Sequence, residues 1–262
     1  MKISVIQMDM ELNRPQENFR KAAELIKKAM AEKPDTVVLP ETWNVGFSPK
    51  DVDPALCDNN GEEVKTRIGT LAKEYGVNIV AGSVANVKNG KIYNTAYVFD
   101  RSGNCVAEYD KTHLFSPMGE DKVFTKGEKT ASFTLDGREC TIIICYDVRF
   151  PELIRTVTAN KRTDFLFMVS EWPDIRVAHL KALVTARAIE NQMFAVCCNS
   201  CGRAGNTRYG GNSMIVDPWG ETLVSAKGEE EIITAECNVD VLSDIRSSIN
   251  VFADRRAEIY KL

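Results

Sequence analysis

Thr141-Ile142-Ile143-Ile144-Cys145-Tyr146-Asp147-Val148-Arg149-Phe150-Pro151-Glu152 decides the fold of this 262-residue chain. The run of β-branched residues reads as a buried strand. The polar cluster and Pro151 read as a sharp exit into a helix over 151–160. In α/β sheets ligands bind in the crevice outside the carboxyl ends of the strands, so Cys145 can present its sulfur there. The competing reading of any one cysteine is a small buried hydrophobe. What decides is whether the chain supplies a base and an oxyanion partner.

Outward from this stretch, strands and helices interleave. Upstream, Ala131–Leu135, the Asp136-Gly137 turn and Cys140–Ile144 form a hairpin. Downstream come a strand over Asp164–Val169, a helix over Val177–Asn191 and a strand over Phe194–Cys198. Strands at Ser213–Val216, Thr222–Ser225 and Glu231–Glu236 follow, then a short helix over Val239–Ile245. The first half reads as strand Ile3–Met8, helix Pro15–Lys33, strand Thr36–Leu39, helix Glu63–Tyr75 stopped by Gly76, and strand Asn78–Val84. Asn89-Gly90 is a strong hairpin signal leading into Ile92–Phe99, with Val106–Tyr109 beyond. Residues 111–130 read as a long functional loop, and Ser200–Gly211 as a second loop. With no linker, charge block or repeat, residues 1–262 are expected to form a single α/β domain with mixed sheets.

Composition narrows the function. Hydrophobic residues make up 44% and charged residues 27%, and the net charge is −4 with Lys and Arg dispersed. That is no nucleic-acid footprint. No apolar stretch approaches the ~20 residues of a membrane span. Met1-Lys-Ile-Ser-Val runs straight into a strand without the regions of a signal peptide, so the expected compartment is the cytoplasm. Of the eight cysteines, Cys198 and Cys201 form a C-x-x-C. A zinc site needs four ligands of fitting spacing, and no second C-x-x-C answers the first. No metal is expected, and this spacing reads as coincidence near a strand end.

Three segments matter together: Leu39-Pro-Glu41-Thr-Trp, Tyr109-Asp-Lys111-Thr-His-Leu-Phe115 and Ile144-Cys145-Tyr-Asp-Val-Arg-Phe-Pro-Glu152. Each puts a carboxylate, an amine or a thiol just past a strand end. Their order resembles the Glu-Lys-Cys set of the nitrilase superfamily of carbon–nitrogen hydrolases. Gly82-Ser83, Glu171-Trp-Pro173, Ala186-Arg-Ala-Ile-Glu-Asn-Gln192, Gly211-Asn-Ser213 and Asp217-Pro-Trp-Gly220 extend the resemblance over essentially the whole chain. It looks most like the ω-amidase branch, whose members deaminate 2-oxo acid ω-amides such as 2-oxoglutaramate, and within it the bacterial group linked to methionine salvage.

The resemblance implies a four-layer α-β-β-α sandwich, a homodimer or higher homo-oligomer, a small amide substrate and no cofactor. It makes Cys145 the nucleophile, Glu41 the general base and Lys111 the oxyanion partner, helped by the Tyr146 backbone N–H. Glu120, seven residues before Gly127, matches an auxiliary glutamate, with Asp121 the competing choice. His113 is the more tempting catalyst by type, but the resemblance makes it structural. A Cys–His hydrolase using His113 or His179 is the rival enzyme class. Asp147 and Arg149 are expected to pair across the turn.

An ω-amide carries a carboxylate at its far end, which calls for a planar cation. Arg176 and Arg208 are the candidates, with Trp172 as a wall. The competing reading of Arg176 is a helix-start residue facing solvent. Two departures bear on specificity: Leu180 stands where family members often carry Trp, and the 200–211 loop has its own sequence. A true nitrilase or an N-carbamoyl hydrolase with the same Glu-Lys-Cys set is the same-class alternative.

Overall fold

Alternation along the strands builds two sheets face to face, each backed by helices. The computed structural model describes residues 1–260, apart from the side chain of Asn160. In chain order the strands are β1 (Lys2–Gln7), β2 (Thr36–Val38), β3 (Asp58–Asn59), β4 (Asn78–Lys88), β5 (Lys91–Phe99), β6 (Cys105–Asp110), β7 (Ser132–Leu135), β8 (Arg138–Ile144), β9 (Phe165–Ser170), β10 (Phe194–Asn199), β11 (Cys201–Ala204), β12 (Thr207–Gly210), β13 (Met214–Val216), β14 (Thr222–Ser225) and β15 (Glu231–Glu236). The helices are α1 (Pro15–Ala29), α2 (Glu62–Tyr75), α3 (Pro151–Asn160), α4 (Val177–Asn191) and α5 (Val241–Ser248).

The first sheet runs β15-β1-β2-β4-β5-β6, with β3 paired to β4, and the second runs β14-β13-β10-β9-β8-β7. Their centres are parallel: β1 with β2, β2 with β4, β8 with β9 and β9 with β10. Successive side chains of a strand face opposite ways. Ile3, Val5, Val80, Ala96 and Val98 therefore join Ile142, Ile144, Val196 and Ile215 in a core between the sheets. Ile6, Val37, Ile79, Ala81, Tyr97 and Phe99 point outward against α1 and α2. On the far side α4 packs its buried Leu180, Val184 and Ala188 behind β10. The layer order is thus helix, sheet, sheet, helix, as the resemblance implies.

Local chemistry explains the boundaries. α1 has an apolar stripe through Phe19, Ala22, Leu25 and Ile26 and stops at Ala29. A 3-10 turn over Met30–Glu32 replaces the last helical turn expected up to Lys33. α2 ends as predicted, with Gly76 left-handed at φ +59°. Asn89 and Gly90 both take positive φ, the two-residue turn that matches strand twist.

Two readings change. Residues 200–211 are a β-hairpin, β11 with β12, not an open loop. Its strands are four residues each and rich in glycine and polar side chains, so no period-2 signal marks them. Leu180, the departure expected to bear on specificity, is fully buried in the core. Among the described residues, no helix is long and apolar enough to cross a membrane.

Candidate active site

Parallel strands bring their carboxyl ends to one edge, and the site is assembled there. Glu41 follows β2, Lys111 follows β6, Cys145 follows β8 and Glu171 follows β9. β8 ends at Ile144, and Cys145 itself takes φ +48°, opening a 3-10 turn over Cys145–Arg149 before α3. A cysteine in left-handed backbone is strained, and such strain clusters at functional sites. Tyr146 is the second residue of the turn, where a backbone N–H lacks a partner inside the helix.

Lys111, Glu41 and Glu120 meet with their side chains wholly shielded from solvent. Lys111 Nζ donates to Glu41 Oε1 at 2.8 Å and to both Glu120 oxygens at 2.9 Å. The Phe115 N–H donates to Glu120 Oε2 at 2.6 Å. The Glu171 N–H donates to Glu41 Oε2 at 2.8 Å. Asn94 Nδ2 donates to Glu41 Oε1 at 2.8 Å and to Glu120 Oε1 at 3.3 Å. Asp121, the competitor of Glu120, is exposed on the same short turn.

Two glycines let this loop work close in. Gly82 has φ +63°, and a Cβ there would stand 1.9 Å from the Pro40 carbonyl oxygen, so the strand beside Glu41 has room only for hydrogen. A Cβ at Gly127 would stand 2.0 Å from the Asp110 carbonyl oxygen. Gly127 N–H closes the loop on the Lys111 carbonyl at 2.9 Å.

Burial sets the protonation states. It pushes Lys111 toward neutrality, but Glu120 and Glu41 outweigh it and hold the ammonium well above the ordinary lysine range. Burial raises the Cys145 thiol well above its usual value, Glu41 raises it further, and Lys111 only partly opposes them. Burial likewise lifts Glu120, against the pull of Lys111. Two carboxylates around one ammonium leave no charge to spare for a resting thiolate.

A narrow cavity opens on Cys145, lined by Phe47, Phe115, Met118, Tyr146, Arg149, Glu171, Trp172, Pro173 and Arg176. Arg149 lies over the Trp172 ring at 4.8 Å, and Arg176 over the Phe115 ring at 5.2 Å. The Trp172 indole N–H donates to the Arg176 carbonyl at 2.8 Å. Arg176 is thus half-buried at the cavity wall rather than a solvent-facing helix start. Arg208 lies outside this wall. Its side chain is 54% exposed, faces Glu229 at 3.8 Å and borders an outer groove.

Sequence reasoning missed Arg149 as a cavity cation, because it was assigned to Asp147. That pair does not form. Asp147 instead accepts from Tyr109 Oη at 2.7 Å, the Ile144 N–H at 3.0 Å and the His113 N–H at 2.9 Å, and faces His113 Nδ1 at 2.8 Å. It ties the lysine segment to the cysteine turn. His113 stacks on Phe150 at 3.7 Å, and His179 lies outside the cavity with Nδ1 3.3 Å from Arg149. Asn94 was missed too. Its signal is a polar Asn-Thr pair inside the apolar run Ile92–Phe99.

The thiols of Cys198 and Cys201 are buried against the carbonyls of Ile6 and Gln7. Among the described residues, no group of three or more His, Cys, Asp or Glu could hold a metal.

A catalytic-type cysteine at a strand edge, in a two-sheet sandwich with this buried ion cluster, defines the class. Residues 2–247 match the carbon-nitrogen hydrolase model, and the chain belongs to that family, within the nitrilase superfamily. It is 42% identical over 258 residues to a 2-oxoglutaramate amidase of Bacillus subtilis (strain 168), covering 98% of each chain. It is 31% identical to an omega-amidase of Xenopus tropicalis, over 94% of this chain and 92% of that one. In structure it resembles a CN-hydrolase superfamily protein of Xanthomonas campestris, with TM-score 0.92, 27% identity and coverage of 100% and 98%; that protein carries an arsenic adduct in its active site. Nit3 of Saccharomyces cerevisiae, a branch 10 member of the nitrilase superfamily, superposes with TM-score 0.88 at 27% identity, over 98% and 96%.

Proposed function

We propose that this protein is a cysteine amidohydrolase, one catalytic domain spanning the chain, that removes the terminal amide of 2-oxo acid ω-amides such as 2-oxoglutaramate. The observation that carries the reading is the buried Glu41–Lys111–Glu120 cluster beside Cys145, under a cavity walled by two arginines. The amidases among its relatives supply the substrate class.

In this reading Glu41 takes the thiol proton as Cys145 Sγ attacks the amide carbon. Negative charge develops on the amide oxygen, where the Lys111 ammonium and the Tyr146 N–H stabilise it. Glu41 then protonates the amide nitrogen, the C–N bond breaks, and ammonia leaves a thioester on Cys145. Glu41 next accepts a proton from water, which attacks the thioester carbon. The C–S bond breaks, the proton returns to sulfur and the acid departs. Glu120 fixes the Lys111 ammonium, and Asn94 holds Glu41 and Glu120 in register. Arg149 and Arg176 grip the far carboxylate against Trp172. Arg208 sits too far out for that task and meets the ligand only at the rim.

The chemistry needs no metal or organic cofactor. The resemblance adds a cytoplasmic homodimer or larger homo-oligomer, which light scattering on the purified protein would test. A substrate panel tests the reaction. Ammonia from 2-oxoglutaramate, with far slower turnover of nitriles and N-carbamoyl amino acids, is expected. Preference for a nitrile or a carbamoyl amino acid would overturn the amidase reading.

A further inference from the structure

Glu171 carries a carboxyl that the chemistry above does not use. It stands at the carboxyl end of β9, is 2% exposed and lines the cavity that opens on Cys145. Its Oε2 accepts a 2.5 Å hydrogen bond from the Thr42 hydroxyl. Its Oε1 is sealed from solvent and has no hydrogen-bond partner among the described residues. The Phe47 N–H lies close to the carboxyl without completing a bond to Oε1. Buried polar oxygens are normally satisfied, and the cavity that Glu171 lines is where a missing partner would enter.

The state of the carboxyl decides what that partner is. The Lys111 ammonium is engaged with Glu41 and Glu120. Burial holds Glu171 well above the ordinary glutamate range, and nearby Glu41 adds to the shift against the Thr42 hydrogen bond. A neutral carboxyl accepts at one oxygen and donates from the other. With Oε2 taken by Thr42, the free Oε1 is the donor, and it calls for an acceptor.

We infer that Glu171 is a specificity residue that donates a hydrogen bond from its free carboxyl oxygen to the 2-oxo group of the substrate. The inference rests on the amidase reading and deepens it. The 2-oxo group neighbours the far carboxylate. Glu171 neighbours Trp172, on whose ring Arg149 lies, so acceptor and anion meet donor and cation on one wall. A 2-amino acid ω-amide would set an ammonium against an O–H donor and gain no partner. A chain without the oxo group would leave Oε1 unpaired.

The test is the ratio of kcat/KM for 2-oxoglutaramate to that for glutaramate, the same chain lacking the 2-oxo group. This ratio cancels losses that a merely structural residue would inflict on both substrates. The wild type should favour 2-oxoglutaramate by about tenfold or more, the scale of one buried hydrogen bond. Glu171→Leu should erase most of that preference. Glu171→Gln should keep it, because its amide accepts from Thr42 and donates into the cavity. Equal wild-type turnover of the two substrates overturns the inference without any variant. So does a preference that survives in the Leu variant, or one lost in a folded Gln variant. A wild type that hydrolyses neither compound overturns the amidase reading itself.

Discussion

Lys111 Nζ lies 2.8 Å from Glu41 Oε1, with both side chains completely shielded from water. A buried ammonium and carboxylate hold each other charged, and neither tolerates loss of the other. Lys111→Met would strand Glu41 beside Glu120 with no cation. We expect kcat/KM to fall by at least ~10²-fold, the usual cost of an oxyanion donor, and stability to fall by about 3 kcal/mol or more. Steady-state kinetics and urea unfolding read the two effects separately. Wild-type activity in this variant would remove Lys111 from the mechanism.

Cys145 rests as a thiol. Burial and Glu41 both raise its pKa well above the usual thiol value, and Lys111 compensates only in part. A raised thiol pKa means that the thiolate grows in only at a pH above that of free cysteine. The difference in absorbance near 240 nm between wild type and Cys145→Ala should therefore be absent at pH 7. A thiolate signal from Cys145 at neutral pH would show that the proton has already left, contrary to a Glu41-assisted attack.

Arg149 and Arg176 supply the two cations at the cavity wall. Arg149→Gln and Arg176→Gln are each expected to raise KM for an ω-amide carboxylate about tenfold or more, because a charge-assisted hydrogen bond is lost. A neutral amide of similar size should feel neither change. Arg208→Gln, at the exposed rim, should shift KM little. An equal loss on charged and neutral amides would mean the arginines hold the wall and not the ligand.

Gly82→Ala is a stability prediction. The residue has φ +63°, and its Cβ would fall 1.9 Å from the Pro40 carbonyl oxygen. The loop that carries Glu41 would have to move. We expect a loss of at least ~2 kcal/mol from backbone strain and steric clash, read by chemical denaturation, together with most of the activity. A variant as stable as wild type would show that β4 and the Glu41 loop are less tightly apposed.

The strand-end placement of Glu41, Lys111 and Cys145 was legible because β-branched runs stop where polar residues begin. Asn89-Gly90 and Gly76 declared their turns through backbone conformations few other residues accept. The β11–β12 hairpin was not legible, since its polar, glycine-bearing strands carry no alternation. Nor was the partner of Arg149. Sequence proximity suggested Asp147, whereas tertiary packing gives Asp147 to Tyr109 and His113 and turns Arg149 onto Trp172. The unpaired Oε1 of Glu171 is likewise a fact of packing, invisible along the chain.

The most direct test is ammonia release from 2-oxoglutaramate by purified wild-type protein and by Cys145→Ala, measured side by side. Steady turnover by the wild type and none by the variant is the predicted result. No ammonia from the wild type, or undiminished release from the folded variant, would contradict a cysteine amidase built on this site.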